Sequence, residues 1–242
     1  MTIADSARTG AELLCELHAH TTWSDGAVDL DTVVDAYGQA GFDVLCLTDH
    51  VVRDGSMIGE RVAPRYFAAV AAAGRRARDR YDMLVIPGLE LTWDDPDDAA
   101  AAHAVVLGVE EFIGLGDGLE PALERARDLG AAIIAAHPHA LHEDDIPGRT
   151  TRRWWLDAGL RSLAHRFELI NRRQVFAWVA ERDMPAVASG DFHRPEHLTT
   201  WKTVLRCERD TGAIVEQLRS REPAMIVRSP VEALPQAFRQ AA

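Results

Sequence analysis

The chain has a single lysine, Lys202, among its 26 basic residues; every other one is arginine. Any chemistry built on a lysine therefore has one candidate. Cysteine is nearly as scarce: Cys15, Cys46 and Cys207 are odd in number, widely spaced and form no CxxC pair. That excludes a disulfide framework and a cysteine zinc site, and it predicts reduced thiols and a cytoplasmic location. No apolar stretch approaches the roughly 18 residues of a membrane span. The start, MTIADSARTGAELLC, lacks the basic head and apolar core of a signal peptide, so no membrane partner is expected. Excess positive charge is missing too. A net charge of −12 argues against strong binding to nucleic-acid backbones, which rests on basic side chains neutralising phosphates.

Several motifs are absent as well. There is no GxSxG for a nucleophile elbow, no GxGxxG after a strand and no GxxxxGK[ST]. Serine-nucleophile, dinucleotide and P-loop chemistries thus lack their signatures. Neither internal repeats nor low-complexity tracts occur.

What is present is a core and an alternation. At 242 residues and 47% hydrophobic, the chain can bury one large core, and 1–242 is read as a single catalytic domain. Strand-length apolar runs fall at 13–17, 43–48, 83–89, 103–109, 131–136, 167–170, 185–188 and 203–207. Helical stretches lie at about 29–40, 64–80, 118–129, 173–183 and 211–220, with Gly41 and Gly130 just past helix ends. This alternation predicts a mostly parallel α/β fold, and the number of strands favours a barrel over an open sheet. The runs 94–102 and 142–153 read as loops, and 228–242 as a C-terminal tail packing on or near the barrel.

The chemistry sits at strand ends. In ELHAHTTWSDG, residues 16–26, His18 and His20 close the first strand on one face, and Asp25 follows. LCLTDH ends in His50, VIPGLELTW carries Glu90 after its apolar run, IIAAHPH brings His137, and PAVASGDFH ends in Asp191 and His193. His103 is the exception, because it opens its strand. A parallel barrel assembles its active site on the C-terminal rim. Convergent imidazoles and carboxylates there point to metal. Imidazole suits zinc, iron and manganese, and carboxylates can bridge two ions. Six histidines and three acids exceed one tetrahedral ion, so two to three divalent ions (Mn²⁺, Zn²⁺ or Fe²⁺) are expected.

Taken in order, ELHAHTTWSDG, LTDH, GLE, AHAVVLG, HPH and SGDFH resemble the polymerase and histidinol phosphatase (PHP) superfamily over about residues 13–206. The resemblance implies a distorted (β/α)7 TIM-like barrel with a trinuclear metal site on its C-terminal rim. Carried over by position, one ion would be held by His18, His20, Glu90 and Asp191. Asp25, His50 and His193 would hold a second, and Glu90, His103 and His137 a third. The implied activity is hydrolysis of a phosphate ester, a phosphomonoester or phosphodiester of a small metabolite or nucleotide, by a hydroxide bridging two ions.

Asp191, His139 and Arg194 are the candidate catalytic residues, with His139 protonating the leaving group and Arg194 gripping phosphate. Asn171, Arg172, Arg149 and Arg53 are secondary candidates on the rim. Asp49 either orients His50 or caps a turn. Trp23 could wall the pocket, while His142, His165 and His197 read as surface or structural. The competing reading is amidohydrolase-like cleavage of an amide or ester. Such enzymes often bridge their metals with a carboxylated lysine, and Lys202 lies outside the motifs.

Overall fold

The computed structural model describes residues 10–141 and 151–240. His142 and Arg149 lie outside the described residues. Among the described residues no helix is long and apolar enough to cross a membrane.

The first strand, β1 (Ala11–Glu16), pairs in parallel with β2 (Val44–Leu47), and β2 pairs with the start of β4 (Leu84–Trp93). The VLCL of β2 is buried throughout, as expected of a strand covered on both faces. Beyond β2, the short β3 (His50–Val52) takes over as the parallel partner of β4. Next comes β5 (Ala102–Leu107), antiparallel to β4 and to β6 (Ala132–Ala136). Parallel pairing resumes from β6 to β7 (Arg166–Asn171) and from β7 to β9 (Ala186–Ser189), while β8 (Gln174–Val175) folds back on β7 as a hairpin. On the other side, β10 (Trp201–Cys207) runs antiparallel to β1, and β11 (Met225–Arg228) antiparallel to β10.

The sheet is therefore a mixed, curled half-barrel: the α/β alternation predicted a mostly parallel sheet, and β5, β8, β10 and β11 run antiparallel to their neighbours. No backbone ladder joins β9 to β10 among the described residues. The Thr203 hydroxyl bridges them instead, accepting from the Ala188 N–H at 2.9 Å and donating to its carbonyl at 2.7 Å.

Period-two alternation sorts the core into two layers. Leu13, Cys15 and Leu17 pack with Val44, Cys46, Val105, Ile134 and Val187 inside the curl. The helix Thr211–Arg219 closes one end with Ile214 and Leu218. Its last carbonyls are capped by the buried Arg166 guanidinium, which donates to Gln217 and Leu218 at 2.9 and 3.0 Å. The alternate residues, such as Leu45, Leu47, Val106 and Ile133, face the outer helices. Cys15 and Cys46 are free and buried in the inner layer, where burial pushes both thiols up and keeps them inert.

Helix α1 (Leu30–Gln39) starts at Asp29, whose carboxylate accepts from the Thr32 N–H at 3.0 Å. Helices α2 (Ala63–Tyr81) and α3 (Leu119–Asp128) follow their strands as expected. The helix expected over 173–183 is shorter: the β7–β8 hairpin takes its first residues, and the helical turn spans only Ala177–Glu181. Near the C-terminus, Phe238 stacks on Phe192 at 5.7 Å, and the Ala237 N–H donates to Gln39 at 3.1 Å.

Candidate metal centre

Strand register places the candidate ligands. Just past β1, Ala19 bridges in parallel to Phe192: the His20 N–H donates to the Phe192 carbonyl at 2.8 Å, and the Phe192 N–H to the His18 carbonyl at 3.0 Å. HAH and DFH thus lie side by side, which brings His18 and His20 to Asp191 and His193. On the neighbouring ladder His50 is directly opposite Glu90.

His103 stands opposite Thr92 and Ala136. Because β5 runs antiparallel, its first residues, Ala102 and His103, lie at the rim where β4 and β6 finish, which accounts for a histidine at the start of a strand. His137 and Asp191 have positive φ, +29° and +42°. Non-glycine residues in that region persist only where surrounding structure over-determines them, and such strain clusters at functional sites.

Asp25 rides on the loop after His20. Asp49 holds that loop, its carboxylate accepting from the Thr21 N–H at 2.8 Å, the Thr21 hydroxyl at 2.9 Å and the Ser24 hydroxyl at 2.6 Å. Of its two sequence readings, the turn cap is the one these bonds describe. Gly26 is required in the same loop, since a Cβ there would come within 2.6 Å of the His20 carbonyl oxygen.

Glu90 is the hub. Its Oε2 lies 3.2 Å from His18 Nε2, 3.3 Å from His20 Nε2 and 2.9 Å from His50 Nδ1. Its Oε1 lies 3.2 Å from His103 Nδ1 and 3.3 Å from His137 Nε2. Asp191 Oδ1 is 3.7 Å from His18 Nε2, 3.5 Å from His20 Nε2 and 3.1 Å from His193 Nδ1. Asp25 Oδ1 is 3.4 Å from His50 Nε2 and 3.2 Å from His193 Nε2. Three groups able to hold an ion result: His18, His20 and Glu90; His20, Asp25, His50 and His193; and Glu90, His103 and His137.

These side chains fit divalent ions on two grounds. First, six buried atoms make no hydrogen bond: His18 Nε2, both His20 ring nitrogens, both Glu90 oxygens and His103 Nδ1. Each such atom costs about 1–3 kcal/mol, so six would consume much of a domain's stability of about 5–15 kcal/mol unless something else satisfies them. Second, ligand atoms about 2.1 Å from a tetrahedral ion are about 3.4 Å apart, within the spread of separations seen.

The charges are strongly coupled. Burial opposes protonation of His18, but Glu90, Asp191 and Glu168 overcome it and raise the imidazole well above its ordinary range. Burial, together with His50 and His193, pushes His20 well below. Burial also works against ionised Glu90 and Asp191, yet the imidazoles around them hold both carboxyls well below the usual range. The centre thus sets ionised carboxylates around a protonated His18 and a neutral His20.

A cavity of about 560 Å³ opens over this centre, and beyond the candidate ligands its lining includes Asn171, Arg172, Arg173, Gln174 and His139. That volume suits a small-molecule ligand. Arg172 is committed: it pairs with Asp191 Oδ2 at 3.0 Å and reaches His193 Nδ1 at 2.9 Å. Arg194 does not line the cavity; its exposed side chain lies 3.8 Å from Glu196. Arg53 stacks over Trp93 at 4.5 Å, and Trp23 packs edge-on to Tyr66 at 5.8 Å. His139 is buried, and burial and the His137 ring push it down to about 4. Its Nδ1 accepts from the Thr151 N–H at 3.4 Å, which places its proton on Nε2.

Sequence reasoning passed over several contributors. His197 accepts the His193 N–H at 3.1 Å, and Asp94 reaches His103 Nε2 at 2.9 Å. Glu16 accepts from the Gly190 N–H at 2.8 Å and pairs with Lys202 Nζ at 2.8 Å; both side chains are fully buried. Glu168 touches His18 and His137. An acid inside an apolar run, as in FELIN and LLCELH, was the available signal.

The PHP domain model matches residues 16–136, half of the chain. The chain belongs to the PHP domain family. A phosphoribosyl 1,2-cyclic phosphate 1,2-diphosphodiesterase of Eggerthella lenta is 28% identical over 96 residues, 40% of this PHP chain. The match spans only 31% of that relative's length. Among solved structures, a two-domain protein from Bacteroides vulgatus containing a predicted PHP-like metal-dependent phosphoesterase superposes with a TM-score of 0.70 at 21% identity. It covers 96% of this chain and 70% of its own, which establishes a shared PHP-like fold.

Proposed function

We propose that this PHP protein is a metal-dependent phosphoesterase that hydrolyses a phosphomonoester or phosphodiester of a small metabolite or nucleotide, using two to three divalent ions. The observation that carries this is Glu90: a buried carboxylate with no hydrogen bond on either oxygen, ringed by imidazole nitrogens 2.9–3.3 Å away. His18, His20, Glu90 and Asp191 would hold one ion, Asp25, His50 and His193 a second, and Glu90, His103 and His137 a third. Ions held there supply Lewis acidity toward phosphoryl oxygens and lower the pKa of water toward neutrality.

The chain's own groups divide the remaining work. Asp191 stays ionised beside Arg172 and can orient an attacking water through a carboxylate oxygen. Arg173 lines the cavity with an exposed side chain and can meet an anionic group of the substrate. Held near 4, His139 is neutral at physiological pH, so we assign it hydrogen-bond donation from Nε2 to the departing or phosphoryl oxygen, in place of proton delivery. The relative from Eggerthella lenta is named for a cyclic phosphodiester, which puts phosphorylated sugars with a cyclic diester first among substrates to try.

Amide hydrolysis through a carboxylated lysine is disfavoured by a specific observation. Lys202 is fully buried, with its three donors engaged by Glu16 at 2.8 Å and by the His197 carbonyl and Thr200 hydroxyl at 3.0 Å each. It does not line the cavity.

The test is to purify the protein without chelator, determine its metals, and assay phosphate release with Mn²⁺ or Zn²⁺ on aryl phosphates, nucleotides, sugar phosphates and cyclic diesters. Activity should vanish in His20→Ala and Asp191→Ala with circular dichroism unchanged. Hydrolysis that survives both substitutions, or that is confined to amides, would overturn the proposal.

A further inference from the structure

Glu168 sits in the middle of β7, in RFELIN, and is fully buried. None of the metal positions proposed above requires a carboxylate there. Its Oε1 lies 3.0 Å from His18 Nδ1 and accepts from the Ser189 hydroxyl. Its Oε2 accepts from the His137 backbone N–H at 2.7 Å and from Asn171 Nδ2 at 2.7 Å. One carboxylate therefore joins the rim ends of β1, β6, β7 and β9. None of its hydrogen bonds reaches Asp25, His50 or His193.

We propose that Glu168 is a positioning residue that sets two of the three ion positions at once, the one built on His18 and the one built on His137. This rests on the metal reading above. At His18 the carboxylate can only accept, so Nδ1 must keep its proton, and the nitrogen that gives up a proton to an ion is Nε2, on the side of Glu90 and Asp191. At His137 it anchors a backbone N–H in a residue whose φ is +29°, a conformation that needs a strong local restraint.

The argument predicts an unusual penalty for the isosteric change Glu168→Gln. The His137 N–H is a fixed donor, so the glutamine oxygen must take the Oε2 position. The amide NH2 then faces His18 Nδ1 and draws a lone pair to it. The His18 proton moves to Nε2, the atom that should bind the ion. Outer partners of metal-bound histidines are typically worth about 10–100-fold in affinity.

Calorimetric titration of the metal-stripped full chain with Zn²⁺ tests this. Wild type should bind its full complement. Glu168→Gln, with unchanged circular dichroism, should bind the His18 ion about 10–100-fold more weakly while retaining the ion at Asp25, His50 and His193. Glu168→Ala, which also frees the His137 N–H, should weaken the His137 ion as well. Ser189→Ala removes a donor from the same carboxylate without changing the His18 proton, and should bind within a few-fold of wild type. Full binding by Glu168→Gln at wild-type affinity, or equal loss at all three positions, overturns the inference. If Glu168→Gln does not fold, nitrogen-15 NMR of the cadmium-loaded wild type still decides: His18 should carry its proton on Nδ1, and a proton on Nε2 overturns it. A wild type that binds no ion would sink the metal reading itself.

Discussion

Glu16, the last residue of β1, and Glu90, inside β4, are both buried carboxylates, 0% and 1% exposed, yet their surroundings are opposite. Glu16 accepts from Lys202 Nζ, the Tyr37 hydroxyl and the Gly190 N–H, each at 2.8 Å, and from the His18 N–H at 3.3 Å. Glu90 accepts no hydrogen bond. Burying a carboxylate is costly unless its lone pairs are met. Where the protein meets them all, the group is a structural fastening: Glu16 ties the backbone ahead of His18 to the backbone ahead of Asp191. Where it meets none, the lone pairs are reserved for a ligand. The fastening is tight enough to dictate Gly190, because a Cβ there would lie 2.3 Å from Glu16 and 2.4 Å from Lys202.

The contrast can be broken by exchanging the consequences. Glu16→Ala leaves the Lys202 ammonium and Tyr37 hydroxyl buried without their acceptor. Removing one partner of a buried pair costs about 3–5 kcal/mol, and urea denaturation in EDTA should show a loss of that size. Glu90→Gln should do the reverse. In EDTA its stability loss should be well below that of Glu16→Ala, since no hydrogen bond is removed, while Zn²⁺ affinity and phosphoesterase activity fall by at least about 100-fold. Equal destabilisation by the two substitutions would erase the distinction between fastening and ligand.

A pH series sharpens it further. Against the burial penalty, Asp94 and Glu90 raise His103 to about 9, and Asp191 and Asp25 raise His193 to about 9. A folded-state pKa raised above the unfolded value of about 6.5 stabilises fully below 6.5, and that contribution is lost as pH climbs through about 9. Metal-free protein should therefore lose melting temperature between about pH 6.5 and 9. Ion binding requires neutral imidazoles, so Zn²⁺ affinity should rise over the same window. Parallel slopes with and without Zn²⁺ would show that the imidazoles are not the ligands.

Much of this was legible in the chain, and what was not has physical reasons. The order of HAH, LTDH, GLE, HPH and GDFH marks strand ends, because ligands two apart on a strand share a face. Strand direction was harder. Only residues 94–101 separate β4 from β5, too few for the crossover of a dozen or more residues that parallel pairing needs, so β5 had to run antiparallel. That reversal interrupts the mostly parallel order and also carries His103 to the rim. The β7–β8 hairpin was hidden because NRRQ contains no glycine; Arg172 takes the left-handed position itself, with φ at +53°. Glu16 and Glu168 were hidden by the strand pattern. One sequence does not reveal whether an acid inside an apolar run faces a lysine, an imidazole or water.

His139 extends the same rule to the substrate side and carries the smallest effect. Its Nε2 is buried without a hydrogen bond, like the atoms around Glu90, but it is in none of the three groups able to hold an ion. By the logic separating Glu16 from Glu90, that atom is open to a ligand, and its place on the cavity wall is why we assign it a hydrogen bond to the substrate. A general acid contributes about 10²–10⁴-fold, whereas a neutral donor contributes one hydrogen bond of about 0.5–1.5 kcal/mol. His139→Gln keeps a donor but cannot deliver a proton, so kcat should fall by less than about tenfold. The rate should also show no alkaline limb near the ordinary histidine pKa of about 6.5. A loss of a hundredfold or more, with such a limb present in wild type and absent from the variant, would return His139 to the role of acid. It would also mean that burial and the His137 ring do not keep His139 neutral.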